Sequence, residues 1–188
     1  MEPLLTSFIA AALAEWGGKT QLLAVALAVR YRSAGPVLAG IAIAALLNAL
    51  IAAAAGLLVH GYIALRAISL LIALALVFAG VAGLMSSKEV KMGETWKTGP
   101  FLTSLGCFFL LEFGDKTQFL TFAISAQFNS LALAAAGATA GVVAASVPAV
   151  VMAEQLPNAV PMKAVRIGAA LLFLLVGLIV AVNALRLV

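Results

Sequence analysis

Six long apolar stretches, separated by short polar or glycine- and proline-containing segments, dominate the pattern of this chain. A helix needs about 20 mostly apolar residues to cross about 30 Å of hydrocarbon. Every stretch is long enough, so the pattern predicts an all-α integral membrane protein of six transmembrane helices with almost no soluble part. The predicted spans cover residues 4–29, 35–59, 63–85, 100–128, 131–153 and 164–186.

The composition agrees with a membrane protein. Of the 188 residues, 65% are hydrophobic and only 10% are charged, whereas a soluble domain carries about 25% charged residues. The net charge of +4 is spread over short loops without a basic face, which argues against nucleic acid as a partner. The single cysteine, Cys107, lies in an apolar run and excludes an internal disulfide framework. The N-terminus lacks the basic region of a signal peptide, so residues 4–29 are expected to be a mature first span.

The lysines and arginines predict the orientation in the membrane. If the spans alternate, seven of these cations fall on one side and two on the other, and the richer side is cytoplasmic. Both termini are then extracytoplasmic, and the 86–99 loop is cytoplasmic. The cations on the richer side are Arg30, Arg32, Lys88, Lys91, Lys97, Lys163 and Arg166, against Arg66 and Arg186.

The sequence contains an internal duplication. Residues 6–33 align without a gap on residues 103–130, with eleven of the 28 positions identical. The identical positions include an E-x-G-x-K-T-Q motif, which apolar bias alone does not produce. We therefore predict two three-helix repeats, at 1–93 and 94–188. An odd number of spans per repeat inverts the second copy, and inverted repeats are the architecture of many secondary transporters.

The motif places ionisable groups inside two predicted spans. The second copy holds Glu112, Asp115 and Lys116, and the first holds Glu15 and Lys19. In a continuous helix, each glutamate would face the lysine four residues later, which is the favourable ion-pair orientation. Asp115 has no lysine at that spacing. A charge at the bilayer centre costs about 2.5–3.5 kcal/mol even on a lenient scale, so these residues are predicted to be functional.

The other motif positions supply backbone freedom and neutral oxygens. Gly17 and Gly114 weaken the helix and predict a break that exposes backbone carbonyls, as in discontinuous transporter helices. Gly18 stands in the first copy where Asp115 stands in the second. The predicted neutral ligands or hydrogen-bond partners are Thr20, Gln21, Thr117 and Gln118.

Several carboxylates among oxygen donors suit hard divalent cations such as Mn²⁺ or Ca²⁺. Carboxylates held partly out of water also bind protons more readily, because burial and like charge disfavour the ionised form. One site that holds either metal or protons is the minimum chemistry of a cation/proton exchanger. A structural interpretation stays open beside it, in which Glu–Lys pairs only hold the two motif helices together.

Other polar residues carry weaker predictions. Asn48 is a candidate to line the pathway, although a lone membrane asparagine more often bonds to a neighbouring helix. His60 and Trp96 are interpreted as interfacial, and Glu154 and Gln155 as a solvated helix end or an entry vestibule. No nucleotide-binding or hydrolytic motif is present, so neither an enzyme nor a cofactor is expected.

The paired motif, one copy per three-helix repeat, resembles that of the Gdt1/UPF0016 family of cation/proton exchangers. The resemblance covers the whole chain through its length, six spans and duplication. It implies transport of Mn²⁺ and Ca²⁺ in exchange for protons and, in bacteria, chiefly manganese export across the inner membrane. The metal positions implied are Glu15, Glu112 and Asp115, with Lys19, Thr20, Lys116 and Thr117 completing the motifs. The other supporting positions, read from the repeat itself, are Gly17, Gly18, Gln21, Gly114 and Gln118.

The chain departs from the family pattern at Gly18, where that pattern has aspartate. Three carboxylates then face two lysines, so the two halves of the site are expected to bind unequally. The hypothesis is a proton-driven exporter of Mn²⁺ (or Ca²⁺) with one site near the midplane, exposed to each face in turn as the repeats rock. Two alternatives remain: an exporter of small cationic organic solutes such as basic amino acids, and a non-transporting membrane scaffold.

Overall fold

The structure is a computed structural model that describes residues 1–85, 98–153 and 161–185, and within these ranges it consists of eight helices without a strand. The all-helical prediction is therefore confirmed for this part of the chain. The helices are α1 (Glu2–Glu15), α2 (Lys19–Tyr31), α3 (Ala34–His60), α4 (Leu65–Leu84), α5 (Pro100–Glu112), α6 (Lys116–Phe128), α7 (Leu131–Val151) and α8 (Met162–Leu185).

Four of these helices, α3, α4, α7 and α8, are individually long and apolar enough to cross a membrane. Each of them agrees closely with a predicted span. In the predicted spans at 4–29 and 100–128, the chain forms two shorter helices that are separated at the motif. The division follows the prediction that the motif glycines break the helix. Most of the 86–99 loop lies outside the described residues, as do Trp96, Glu154 and Gln155.

The helix boundaries follow the duplication. Lys19 and Lys116 begin α2 and α6, and Ala34 and Leu131 begin α3 and α7, so each pair keeps the spacing of the aligned repeats. The two broken helices therefore have matching positions in the two halves of the chain.

Small residues bring the central helices close together. Helix α3 packs against α5, α6 and α7, while α1 lies along α7. A Cβ atom at Gly40 would lie 2.6 Å from the carbonyl oxygen of Phe101 on α5, so only glycine permits this approach. Packing by small residues replaces the hydrophobic drive that is missing between helices in lipid.

Helices α4 and α8 pack along each other, and α4 also contacts α6. Arg66 joins the ends of α4 and α8, donating from Nε to the carbonyl of Ala184 (2.7 Å) and from Nη2 to that of Leu185 (3.0 Å). These bonds satisfy carbonyls that the end of α8 leaves without helical partners. The outer faces of the pair are apolar, as lipid contact requires, and expose Leu74, Phe78, Leu171, Leu175 and Leu178.

Candidate functional site at two helix breaks

The motif glycines produce both breaks. Gly17 and Gly114 have positive φ angles of 71° and 76°, a left-handed conformation that glycine adopts without steric cost. The next residue in each copy is the N-cap of the following helix, and its backbone is nearly the same in both repeats: φ −79° and ψ 173° at Gly18, φ −81° and ψ 170° at Asp115. The breaks are therefore conformationally equivalent.

The motif glutamines stabilise the breaks from within. The backbone N–H of Gly17 donates to Gln21 Oε1, and that of Gly114 donates to Gln118 Oε1, both at 2.7 Å. Gln21 then donates through Nε2 to the Ala145 carbonyl at 3.1 Å. The amide oxygens of the two glutamines are thus already occupied in this conformation.

Glu15 connects the two repeats. Its side chain is 1% exposed, and its carboxylate accepts hydrogen bonds from the hydroxyls of Thr20 and Thr117. Thr20 belongs to the same repeat and Thr117 to the other. Hydrogen bonds to a charged group are stronger than neutral ones, so this buried carboxylate is well satisfied.

The predicted ion pairs between residues four apart are wrong. Because the breaks separate each glutamate from its lysine, the lysines instead meet Asp115. Lys19 Nζ lies 3.1 Å from Asp115 Oδ1, and Lys116 Nζ lies 3.5 Å from Asp115 Oδ2. Asp115, which lacked a helical lysine partner in the sequence, is paired with two. The Lys19–Asp115 pair crosses between the repeats.

Glu112 is a carboxylate outside the ion pairs of the described residues, and one of its oxygens has no hydrogen bond there. Its side chain is 2% exposed, and its Oε2 atom accepts no hydrogen bond within the described part of the chain. Asp115 Oδ2 also accepts no hydrogen bond from these residues, but it lies 3.5 Å from Lys116 Nζ. Glu112 borders a cavity of about 10 Å³ together with Asn48, Thr117, Gln118 and small residues of α3 and α7. That volume suits about one water molecule or a bare ion.

Asn48 connects this cavity to the second break. Its Nδ2 atom donates to the Phe109 carbonyl at 3.2 Å, and its Oδ1 atom accepts from Gln118 Nε2 at 3.3 Å. Asn48 therefore both bonds to a neighbouring helix and lines the cavity beside Glu112. The two interpretations of this residue from the sequence are compatible.

The three predicted carboxylates do not form a preassembled ligand set. Among residues 1–85, 98–153 and 161–185, no group of three or more His, Cys, Asp or Glu side chains is arranged to hold a metal ion. A cation beside Glu112 would draw further oxygen ligands from neutral groups of the cavity wall, such as Asn48 and Thr117.

A larger cavity of about 390 Å³ reaches Asp115 and Gly114 from one side. Its wall is mostly apolar, formed by α3 residues including Ala55 and by four phenylalanines, among them Phe113 and Phe119. At the first break the matching position is covered, because a Cβ at Gly17 would lie 2.7 Å from the Met162 carbonyl oxygen. At Gly114 nothing lies within 4 Å of such an atom. The two breaks thus differ in accessibility.

Sequence reasoning missed Arg166 as a neighbour of the site. It was assigned to the cytoplasmic membrane boundary, but it lines a small cavity with Lys116 and Trp16 beside the first break. The pattern of residues along α8 does not predict this contact.

Two residues outside the site also have structural partners. A ring nitrogen of His60 lies 2.7 Å from the Ala126 carbonyl oxygen, and the partly buried Cys107 packs against the central core.

Comparison with known proteins shows which family the chain belongs to. A family model described as "Divalent cation/proton antiporter GDT1" matches residues 3–91 and 100–187, nearly the whole chain. This chain belongs to the GDT1 antiporter family. Family membership confirms the resemblance carried by the paired motif, and the long apolar helices agree with an integral membrane protein.

A curated relative from Vibrio cholerae serotype O1 carries the description "Putative manganese exporter". It is 38% identical over 128 residues, which cover 67% of this chain and 63% of the relative. The matched region thus spans less than two thirds of the relative's length. No solved structure matches the chain.

Proposed function

We propose that this GDT1 family member is a Mn²⁺/H⁺ exchanger that uses the proton gradient to export Mn²⁺ (or Ca²⁺) across a bacterial inner membrane. In this proposal each broken helix crosses the membrane as one span, giving six spans. Residues 1–93 and 94–188 are then inverted repeats, with both termini extracytoplasmic and the 86–99 loop cytoplasmic. The name of the Vibrio cholerae relative supports manganese as the cation.

The observation that carries the proposal is the state of Glu112. A carboxylate that is 2% exposed with an unsatisfied oxygen is costly unless it binds a cation or a proton. Both are the substrates of an antiporter, and both would fit the small cavity that Glu112 borders. In the proposal the metal and the protons compete for Glu112, with Asp115 and Glu15 completing the charge of the site.

The breaks supply the other parts of an exchanger. Discontinuous helices place backbone carbonyls and helix ends at the binding site, where they contact the ion during transport. Gly17 is packed against α8, whereas Gly114 borders a cavity. This difference is what we expect of a conformation in which an ion can enter the site from one side of the membrane only. Rocking of one repeat against the other would exchange the covered and uncovered breaks.

The geometry disfavours both alternatives. The cavity of about 10 Å³ beside Glu112 is too small for an amino acid side chain. The cavity of about 390 Å³ that reaches Asp115 is larger, but its mostly apolar wall does not suit a cationic organic solute. Ion pairs do link the motifs, as the scaffold interpretation expects, but they involve Asp115. That interpretation leaves Glu112 without a role.

The test is transport by purified protein in liposomes that carry a proton gradient and a pH-sensitive dye. We expect Mn²⁺ to drive proton movement in the wild type and expect Glu112→Gln to abolish it while the protein stays folded. Glu2→Gln removes an exposed carboxylate at the start of α1 and serves as the matched control. Full exchange by Glu112→Gln, or no response of the wild type to Mn²⁺ or Ca²⁺, would refute the proposal. A response to lysine or arginine instead would favour the organic-solute exporter.

A further inference from the structure

The two halves of the site differ at one position whose backbone is ready for an acidic side chain. Gly18 has nearly the same φ and ψ as Asp115 and caps the same helix start in its repeat. Both backbone N–H groups also make the same turn, donating at 3.0 Å to the carbonyl of the preceding glutamate. An aspartate is thus compatible with the backbone at position 18, yet the chain has glycine there.

Lys116 is the lysine that would pair with an acid at position 18, and it already lies beside that position. The pairing follows from the repeat: Lys19 contacts Asp115 of the other repeat, and Lys116, its equivalent, would contact residue 18 in the same way. A Cβ atom at Gly18 would lie 3.4 Å from Lys116 Nζ. With no carboxylate there, the ammonium of Lys116 contacts the adjacent Asp115.

The two lysines also differ in burial. The side chain of Lys116 is 9% exposed and that of Lys19 is 38% exposed. A buried ammonium needs a counter-charge, since an isolated one is far too costly away from water. Asp115 supplies that charge for Lys116 while it also pairs with Lys19.

We propose that the Lys116 ammonium is a fixed positive charge in the part of the site beside Gly18, where no carboxylate is present. The transported ion then binds in the other part of the site, beside Glu112. This inference rests on the proposed exchange function and adds to it the residue pair that makes the halves unequal. Asp115 is divided between two ammonium groups, so it is a weaker ligand than an unpaired carboxylate. The Glu112 half keeps an unsatisfied oxygen and the oxygens of Asn48 and Thr117.

The ion pair is tested first, in purified protein without any divalent metal. Gly18→Asp should attract Lys116 across the repeat boundary and raise the thermal midpoint by about 2–4 °C. Gly18→Asn is the neutral control of equal size. The gain should disappear in a Lys116→Met background and persist in a Lys19→Met background, although Lys19 is adjacent in sequence. A gain that survives Lys116→Met, or no gain in a folded Gly18→Asp protein, would overturn the assignment.

The second measurement is Mn²⁺ binding by the same variants. Gly18→Asp should tighten binding by roughly tenfold, because Asp115 is relieved of one ammonium, and this effect should also depend on Lys116. If Gly18→Asp does not accumulate, Lys116→Met alone should tighten binding, and unchanged or weaker binding would overturn the inference. A wild type that binds no Mn²⁺ would refute the exchange function, whereas the metal-free thermal measurement would still decide the ion pair.

Discussion

The ammonium of Lys19 lies 3.1 Å from the carboxylate of Asp115, so an ion pair joins the start of α2 to the start of α6. These residues are far apart in sequence and belong to different copies of the duplicated motif. The pair shows that the two broken helices meet at their breaks. A lysine of the first motif therefore pairs with a carboxylate of the second, and substitutions in one repeat are expected to affect the other.

Asp115→Asn should destabilise the protein, because both lysines lose their counter-charge and Lys116 is largely buried. Removing one member of a buried pair costs up to about 3–5 kcal/mol. Chemical unfolding in detergent measures this loss. Glu112→Gln removes a carboxylate outside the ion pairs and should cost much less. Equal stability of the two variants would contradict the pairing, and Lys116→Met should restore part of the stability of Asp115→Asn.

Thr117→Val should weaken the contact between the repeats. Its hydroxyl donates to the buried Glu15 carboxylate, and a hydrogen bond to a charged group contributes about 1.5–3 kcal/mol. We expect lower stability together with slower exchange in liposomes. Thr139→Val is the matched control, because that hydroxyl donates to the Ala135 carbonyl of its own helix at 2.7 Å and does not line the cavity beside Glu112. Similar losses in the two variants would show that the Glu15 contact has no special role.

Alanine substitutions should distinguish the two breaks. Both Gly17 and Gly114 have positive φ, which costs a residue with a side chain about 1–2 kcal/mol. Gly17→Ala should cost more than Gly114→Ala, because its Cβ would also lie 2.9 Å from Arg166 Cβ on α8. Gly168→Ala, with nothing within 4 Å in α8, should not destabilise the protein. Thermal unfolding measures the stability of the three variants. Equal losses of stability in Gly17→Ala and Gly114→Ala would contradict the difference in packing between the two breaks.

A thiol at position 55 should report access to Asp115. Ala55 lines the cavity of about 390 Å³ that reaches the second break. In a Cys107→Ser background, a charged thiol reagent should modify Ala55→Cys and stop most of the exchange. Ala53→Cys lies on the same helix but is fully buried, so it should not react. Exchange by modified Ala55→Cys at the unmodified rate would exclude this cavity from the pathway.

Much of the fold follows from the sequence. Apolar length and polar punctuation located α3, α4, α7 and α8, since a helix that faces lipid must be apolar along its whole length. The duplication predicted matching elements in the two halves, and the helix starts at Lys19 and Lys116 follow it. The glycines predicted the breaks, because a positive φ is a local property of the chain.

The contacts of the site follow from the sequence only in part. The sequence identified Glu15, Glu112 and Asp115 as candidates, because placing a charged side chain in an apolar membrane segment is energetically costly. That argument needs only the composition of the segment. It assigned the lysines to the wrong carboxylates, because the four-residue spacing brings side chains together only in an unbroken helix.

The sequence by itself thus determined which residues carry the charge and where the helices break. Only the tertiary structure decided which charges meet, which carboxylates stay outside the ion pairs and which break is covered. The physical reason is that these contacts cross between repeats and are set by the distances at which α1, α2, α5 and α6 pack. The Lys116 ammonium beside Gly18 and its ion pair with Asp115 could be seen only once that packing was in place.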